Sequence, residues 1–447
     1  MSLTETDLTA EVLRPGDEGY DDAAGVFFAT GQPALVIRPR DPAEVVSALR
    51  HAQSSGLTVS VRSGGHSALG HGTNTDGMVI DLVHLDQVEV LDTDRRVVRV
   101  GGGARWGQVA DTLRSQGLGL SSGDTRDVGV GGLTLGGGIG WMVRKHGLAI
   151  DNLVGARVVT ADGRLLRASA DEHPDLFWAL RGGGGNFGVV VDFDFVAQPV
   201  SSVHYGSVAY QVDDVGELVG RWRDAMRVAP DQLSSALALL PPMGEGPRQA
   251  MVFLCYAGDP GTSVAEADAA IEPLLELGAV REASITERPY AEVLEDAQHL
   301  PPGLRLRIRN ALVRSLGDEV VEAVAALHAS TSAMIALRSL GGAVARVPVD
   351  ATAFAHRDAE AMVLAGFVLP EQLGSAEVDQ ALAPWGSVAS LGAGTYVGFQ
   401  GAATPADVAA AYPPATYARL AEVKRTYDPS NVFALNHNIK PGEESSG

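Results

Sequence analysis

Residues 58–67 read Thr-Val-Ser-Val-Arg-Ser-Gly-Gly-His-Ser, a β-branched run that passes directly into paired glycines and one imidazole. β-Branched side chains favour an extended strand, and Gly64 and Gly65, lacking Cβ atoms, let the chain beyond it lie flat against a ring system. His66 is thus carried at the end of a strand on a segment with no bulk beside it. A second glycine-rich stretch spans 123–140, Gly-Asp-Thr-Arg-Asp-Val-Gly-Val-Gly-Gly-Leu-Thr-Leu-Gly-Gly-Gly-Ile-Gly. Its main-chain N–H groups are open to close approach by an anion such as a pyrophosphate. A fold that uses both stretches must bring bare main chain against a flat, anionic partner.

The chain of 447 residues exceeds the ~250–300 residues that one core accommodates, so two cooperating domains are expected. Its 55 acidic residues against 34 basic give a net charge of −21, which repels a phosphate backbone and an anionic bilayer alike. Neither nucleic acid nor a membrane is an expected partner. Residues 1–8 are acidic and lack the charged-then-apolar pattern of a secretory signal, and no apolar run reaches spanning length. A cytoplasmic protein is expected, as a monomer or homo-oligomer. The lone cysteine, Cys255, excludes an intramolecular disulfide, and no metal-binding spacing occurs, so no metal is expected.

Periodicity divides the chain. Strands are expected over 35–38, 58–61, 78–82 and 97–100, helices over 42–53 and 106–116, and a hairpin turning at 161–163. A helix over 175–181 enters Gly182-Gly-Gly-Gly-Gly-Asn-Phe-Gly188, followed by a strand over 189–195. From about residue 200 the pattern changes to strands at 207–212, 250–256 and 362–368 between helical patterns at 215–228, 262–277 and 317–330. This pattern fits an antiparallel sheet backed by helices. Residues 405–427 read as helix.

Gly183 to Gly188 formally match G-x-G-x-x-G, but a helix precedes and a strand follows, the reverse of a dinucleotide fingerprint. Gly65-His66-Ser67 comes near a nucleophile elbow, yet the second glycine arrives late, at Gly70, and a loop replaces the required helix. A serine hydrolase is therefore the remote alternative.

Taken together, Gly64-Gly65-His66, the 123–140 loop, the string from Leu176 to Val190 and the tail from Tyr427 to Pro441 resemble the FAD-linked oxidases of the vanillyl-alcohol oxidase superfamily, in the berberine-bridge-enzyme-like branch. The likeness in character is greatest to bacterial members with a single flavin tether, such as the hydroxynicotine oxidase group. It implies an α+β, two-domain PCMH-type FAD-binding fold: an FAD-binding domain at 1–198, a substrate-binding domain at 199–402, and a C-terminal segment at 403–447 returning to the first. His66 is implied as the 8α-histidyl tether of FAD. Arg62, Ser63, Gly64, Gly65 and Ser67 around it, Gly123, Thr125, Val128, Gly129, Gly131, Gly132, Gly136, Gly137 and Gly138 in the second loop, and Val190, Asn436 and Asn438 are implied as cofactor contacts.

Departures from the family pattern matter as much. Bicovalent members carry cysteine where this chain has Thr125, and threonine cannot form that thioether, so one tether is implied. Tyr396 sits where members often read Tyr-Val-Asn-Tyr on a strand facing the flavin, and is implied as the substrate contact or general base. The acidic or amide residue that plant members use downstream of a pair like His356-Arg357 is replaced by alanines. Valine at 128 is associated in the family with oxygen access to the flavin.

The implied function is an FAD-dependent oxidase that takes hydride from a small-molecule alcohol, amine or secondary metabolite and returns electrons to O2 as H2O2. A flavin-dependent oxygenase of natural-product biosynthesis is the alternative within flavin chemistry. A non-catalytic flavin-binding protein is the alternative outside it.

Overall fold

Three apolar runs begin the fold because each can be buried on both faces, as a parallel sheet demands. Leu35–Arg38 and Val59–Arg62 flank the central strand Met78–Asp81 in parallel, and Glu11–Leu13 adds an antiparallel edge. Helix Pro42–Ser55 makes the crossover. Asp41 caps it by accepting the Glu44 N–H, and Val45, Ala48, Leu49 and Ala52 pack on the sheet. The edge strand Val59–Arg62 therefore ends at the sheet rim and releases the His66 loop there. The computed structural model describes residues 8–241 and 248–442; the acidic start 1–7 and the last five residues of the 403–447 segment lie outside the described residues.

A second sheet, antiparallel and five-stranded, runs in the order Leu165–Ser169, Leu153–Val159, Val189–Val196, Val97–Gly101, Val88–Asp92. Trp106, Phe187, Phe193 and Phe195 fill its core. The turn between Val159 and Leu165 is the hairpin expected at 161–163.

Residues 202–370 supply a seven-stranded antiparallel sheet. Helices Val215–Val228, Val264–Ile271, Asp318–Ser330 and Ser375–Leu382 cover one face through Trp222, Ile271, Val324 and Leu382. Along Leu304–Val313, alternate side chains Ile308 and Leu312 turn the other way and join Met362, Leu364, Phe354 and Tyr396 in a cluster against the first unit. The two edge strands, Ala279–Pro289 and Leu304–Val313, carry Arg281, Glu282, Arg288, Arg305, Arg307 and Arg309, charges that oppose pairing with another chain.

Prolines break two helices that periodicity alone reads as continuous. The 262–277 pattern is Val264–Ile271 followed by a 3-10 turn, Glu272–Leu274, because Pro273 cannot donate to the helical ladder. The 405–427 pattern splits into Pro405–Ala411 and Pro414–Tyr427 at Tyr412-Pro413. Nor does Tyr396 lie on a strand. Only a single bridge, Leu312 to Gly394, precedes it, and the 3-10 turn Val397–Phe399 follows.

The tail returns to the first unit through a buried clasp. Lys424, fully buried, donates from Nζ to the Asp428 carboxylate at 2.7 Å, to Asn186 O at 2.8 Å and to Phe433 O at 3.0 Å. Asn186 in turn donates to His437 O and accepts the Ile439 N–H. No helix among the described residues is long and apolar enough to cross a membrane.

Candidate cofactor-binding and active site

The two glycine-rich segments meet without side chains between them. A Cβ on Gly64 would stand 2.2 Å from the Gly129 nitrogen, and one on Gly129 would stand 2.0 Å from the Gly64 nitrogen. Ser63 locks the contact: its hydroxyl donates to Gly102 O at 2.6 Å and accepts the Gly131 N–H at 3.1 Å. Past them, Ser67 accepts the Leu69 N–H and closes a turn to Gly70, with no helix following. The hydrolase geometry is thus missing at Ser67.

His66 is half-buried, and its ring stacks on Phe27 with centroids 4.7 Å apart and planes 18° apart. Burial, with Arg105 and His299 nearby, holds the imidazole below its ordinary pKa, while Asp127 opposes the shift. A neutral ring with an available lone pair is therefore the form present at neutral pH. The Arg62 side chain passes beside Gly65 and Gly72, and its guanidinium donates to Ala23 O, Gly25 O and the Asp81 carboxylate, bracing the sheet rim.

In the second segment Gly123 packs under Leu133, and Gly132 is exposed with open space where a Cβ would be. Val128 is half-buried against the first unit's core, with its carbonyl accepting the Trp106 N–H. Val190 lies inside strand Val189–Val196, paired with Val158, and is a core residue. Thr125 donates its hydroxyl to Asp124 at 2.9 Å. Asp124 is ion-paired with Arg338 from strand Met334–Ser339. Burial raises the Asp124 pKa, but the Arg338 charge and the hydrogen bonds from Arg338 and Thr125 outweigh it and hold the carboxyl below its ordinary range.

Gly136 and Gly137 pack against Val397, Phe354 and Tyr396. Gly138 has φ +84°, and a Cβ there would meet that of Ala149 at 2.4 Å. Its N–H donates to the Tyr396 hydroxyl at 3.0 Å. Tyr396 is 3% exposed, and burial pushes its pKa up to about 12 against the opposing hydrogen bonds of Gly138 and Ile139. The Asn310 amide grips its main chain on both sides, accepting from Tyr396 N at 2.7 Å and donating to Tyr396 O at 3.0 Å. His356 and Arg357 are structural: the first bonds Ala410 O and Ala411 O, the second pairs with Asp151 at 2.8 Å through both nitrogens.

Asn436 and Asn438 lie in the returning tail. Asn436 donates to Gly185 O and Phe433 O, while the Oδ1 atoms of both asparagines are buried without a partner among the described residues. Unsatisfied buried acceptors fit a ligand that brings hydroxyl or N–H donors, which FAD does. Sequence reasoning missed Phe27, His299 and Arg338. The aromatic pair Phe27-Phe28 is a local signal, whereas His299 and Arg338 reach the site only through the second domain.

Comparison with known proteins gives matches at both ends of the chain: the FAD binding domain family over residues 33–169 and the berberine and berberine-like family over 395–440. (R)-6-hydroxynicotine oxidase of Paenarthrobacter nicotinovorans is 31% identical over 465 residues, covering 98% of each chain. The crystal structure of 6-hydroxy-D-nicotine oxidase from Arthrobacter nicotinovorans superposes with a TM-score of 0.86 at 30% identity, covering 97% of this chain and 98% of that one. Xylooligosaccharide oxidase from Myceliophthora thermophila, solved with xylobiose, gives 0.85 at 25% identity and 98% of each chain.

Proposed function

Because the chain belongs to the FAD-linked oxidases of the vanillyl-alcohol oxidase superfamily, in the berberine-bridge-enzyme-like branch, and is an FAD-dependent oxidoreductase, we propose that it oxidises a small, largely apolar alcohol or amine, with FAD bonded through His66 and O2 as electron acceptor. FAD, when bound, supplies the chemistry: it takes hydride from a substrate C–H and delivers two electrons to O2, giving H2O2. The observation that carries the reading is the apposition of Gly64 and Gly129, which sets the loop of a neutral imidazole against the bare main chain of the second glycine segment.

The residues of this chain divide the remaining work. His66 is the tether, and Thr125, having no thiol, leaves it single. Gly129, Gly131, Gly132, Gly136, Gly137, Gly138, Asn436 and Asn438 hold the cofactor, with Ser63 and Gly64 fixing the loop. Tyr396 stands where the glycine segment meets the second domain, and is the candidate to contact substrate or accept its proton. The sheet face next to it presents Ile308, Ala336 and Leu364, and the adjoining turn adds Phe399. The cations beside it are already paired: Arg338, over Phe399 at 5.3 Å, with Asp124, and Arg357, over Phe354 at 5.3 Å, with Asp151. Such a wall favours an apolar body over a charged one.

The test is direct. Acid-precipitated protein retains yellow colour in the pellet, and an oxygen electrode registers uptake with alcohols or amines of this class and not with charged analogues. Colour that stays in the supernatant removes the tether. Absence of oxygen uptake in the presence of a substrate that bleaches the flavin removes the oxidase assignment.

A further inference from the structure

His66 does not stand alone in its loop. Phe27, on whose face it lies, also stacks on His299, with centroids 4.4 Å apart and planes 26° apart, so that three rings form one pile with Phe27 in the middle. Each ring comes from a different part of the chain. Phe27 is at the turn between the short strands Gly25–Val26 and Ala29–Thr30, and its N–H donates to Gly65 O at 3.0 Å. His299 follows a segment of the second domain that pairs with the glycine loop: Arg126 N–H donates to Glu295 O and Glu295 N–H to Asp124 O, both at 2.9 Å, and Ala297 N–H reaches the Asp127 carboxylate.

An imidazole turns about a broad, two-fold χ2. Its lone pair lies in the ring plane, so a nitrogen can bond to a carbon only when that plane is aimed at it. Stacking fixes the plane without touching the nitrogens. We propose that Phe27 and His299 are positioning residues for formation of the bond between His66 and the flavin, holding the imidazole plane in the attacking orientation. The inference rests on the tether assignment above. In the step itself an imidazole N–H and a C–H of the flavin 8α-methyl group are lost and one N–C bond forms. The two electrons and two protons released pass through the flavin ring to dioxygen, which leaves as hydrogen peroxide.

The experiment follows the appearance of acid-precipitable flavin after FAD is added to flavin-free protein. Phe27→Leu keeps the apolar bulk and removes the ring; it is expected to slow tether formation about tenfold or more. His299→Ala is expected to slow it about threefold to tenfold, and His299→Phe, which keeps a stacking face without nitrogens, to restore the parent rate. FAD affinity measured in the His66→Ala background stays within about twofold when Phe27→Leu is added, because the stack orients the tether and does not hold the cofactor. Phe27→Tyr guards against misfolding and should tether at the parent rate. Parent rates in both Phe27→Leu and His299→Ala overturn the proposal, as does a His299→Phe variant as slow as His299→Ala, which would give the imidazole a proton-transfer role. Acid-stable flavin in His66→Ala, or none in the parent, instead overturns the tether assignment itself.

Discussion

Gly64 and Gly129 are packed main chain to main chain, each occupying the space in which the other's side chain would begin. A single methyl at either position has nowhere to go, because the opposing atoms are backbone nitrogen and Cα. Gly129→Ala is expected to separate the two loops, lowering stability by about 1–3 kcal/mol and reducing bound flavin. Thermal melts and the visible absorbance of purified protein check both effects; a variant with the parent melting temperature and full flavin would show that the contact is not needed.

Removing the hydroxyl of Tyr396 separates support from chemistry. In Tyr396→Phe the Gly138 N–H loses its acceptor, at a cost of about 1–3 kcal/mol, while Phe354 and Phe399 still enclose the ring. A hydroxyl that takes the substrate's proton is worth about 10²-fold or more in the rate of flavin reduction. Anaerobic stopped-flow across the pH range decides it. Parent-like reduction with a lowered melting temperature assigns Tyr396 to the wall.

Val128 permits a test of oxygen access. One added methylene in Val128→Leu crowds a half-buried side chain beside the glycine loop without altering His66 or the Tyr396 side. Reduction by substrate should persist while reoxidation in air slows. Equal reoxidation rates in parent and variant would remove Val128 as a gate.

Acid should loosen the molecule through its histidines before its carboxylates titrate. Burial pushes both His71 and His146 down to about 4, and His66, His356 and His437 shift in the same direction for the same reason. Unfolded histidine takes a proton near pH ~6.5, so between that value and about 4 the unfolded chain binds more protons and stability falls as pH falls. Melting temperature is expected to drop across this window, and His71→Gln to flatten the slope. An unchanged slope would transfer the effect to other groups.

The strand and the bare loop that follows it were legible because they are written in consecutive residues: a strand running into Gly64-Gly65-His66 needs no long-range information. The partners of Arg62 are set by longer-range contacts. Its neighbours in sequence are the loop, but its partners are Ala23, Gly25 and Asp81, set by sheet order. Val190, at the end of a glycine-flanked string, is paired with Val158 inside a strand. The Arg338–Asp124 pair and the ring stack on Phe27 could not be read at all, since each joins segments whose meeting depends on how the second domain docks.

The clasp at Lys424 sets an order of events in synthesis. Asn186 and its lysine partner are 238 positions apart, with the whole seven-stranded sheet between them. A ribosome releases the first unit long before the tail, so Asn186 and the segment around it wait without their lysine partner until the second domain and the last turn of chain have been made.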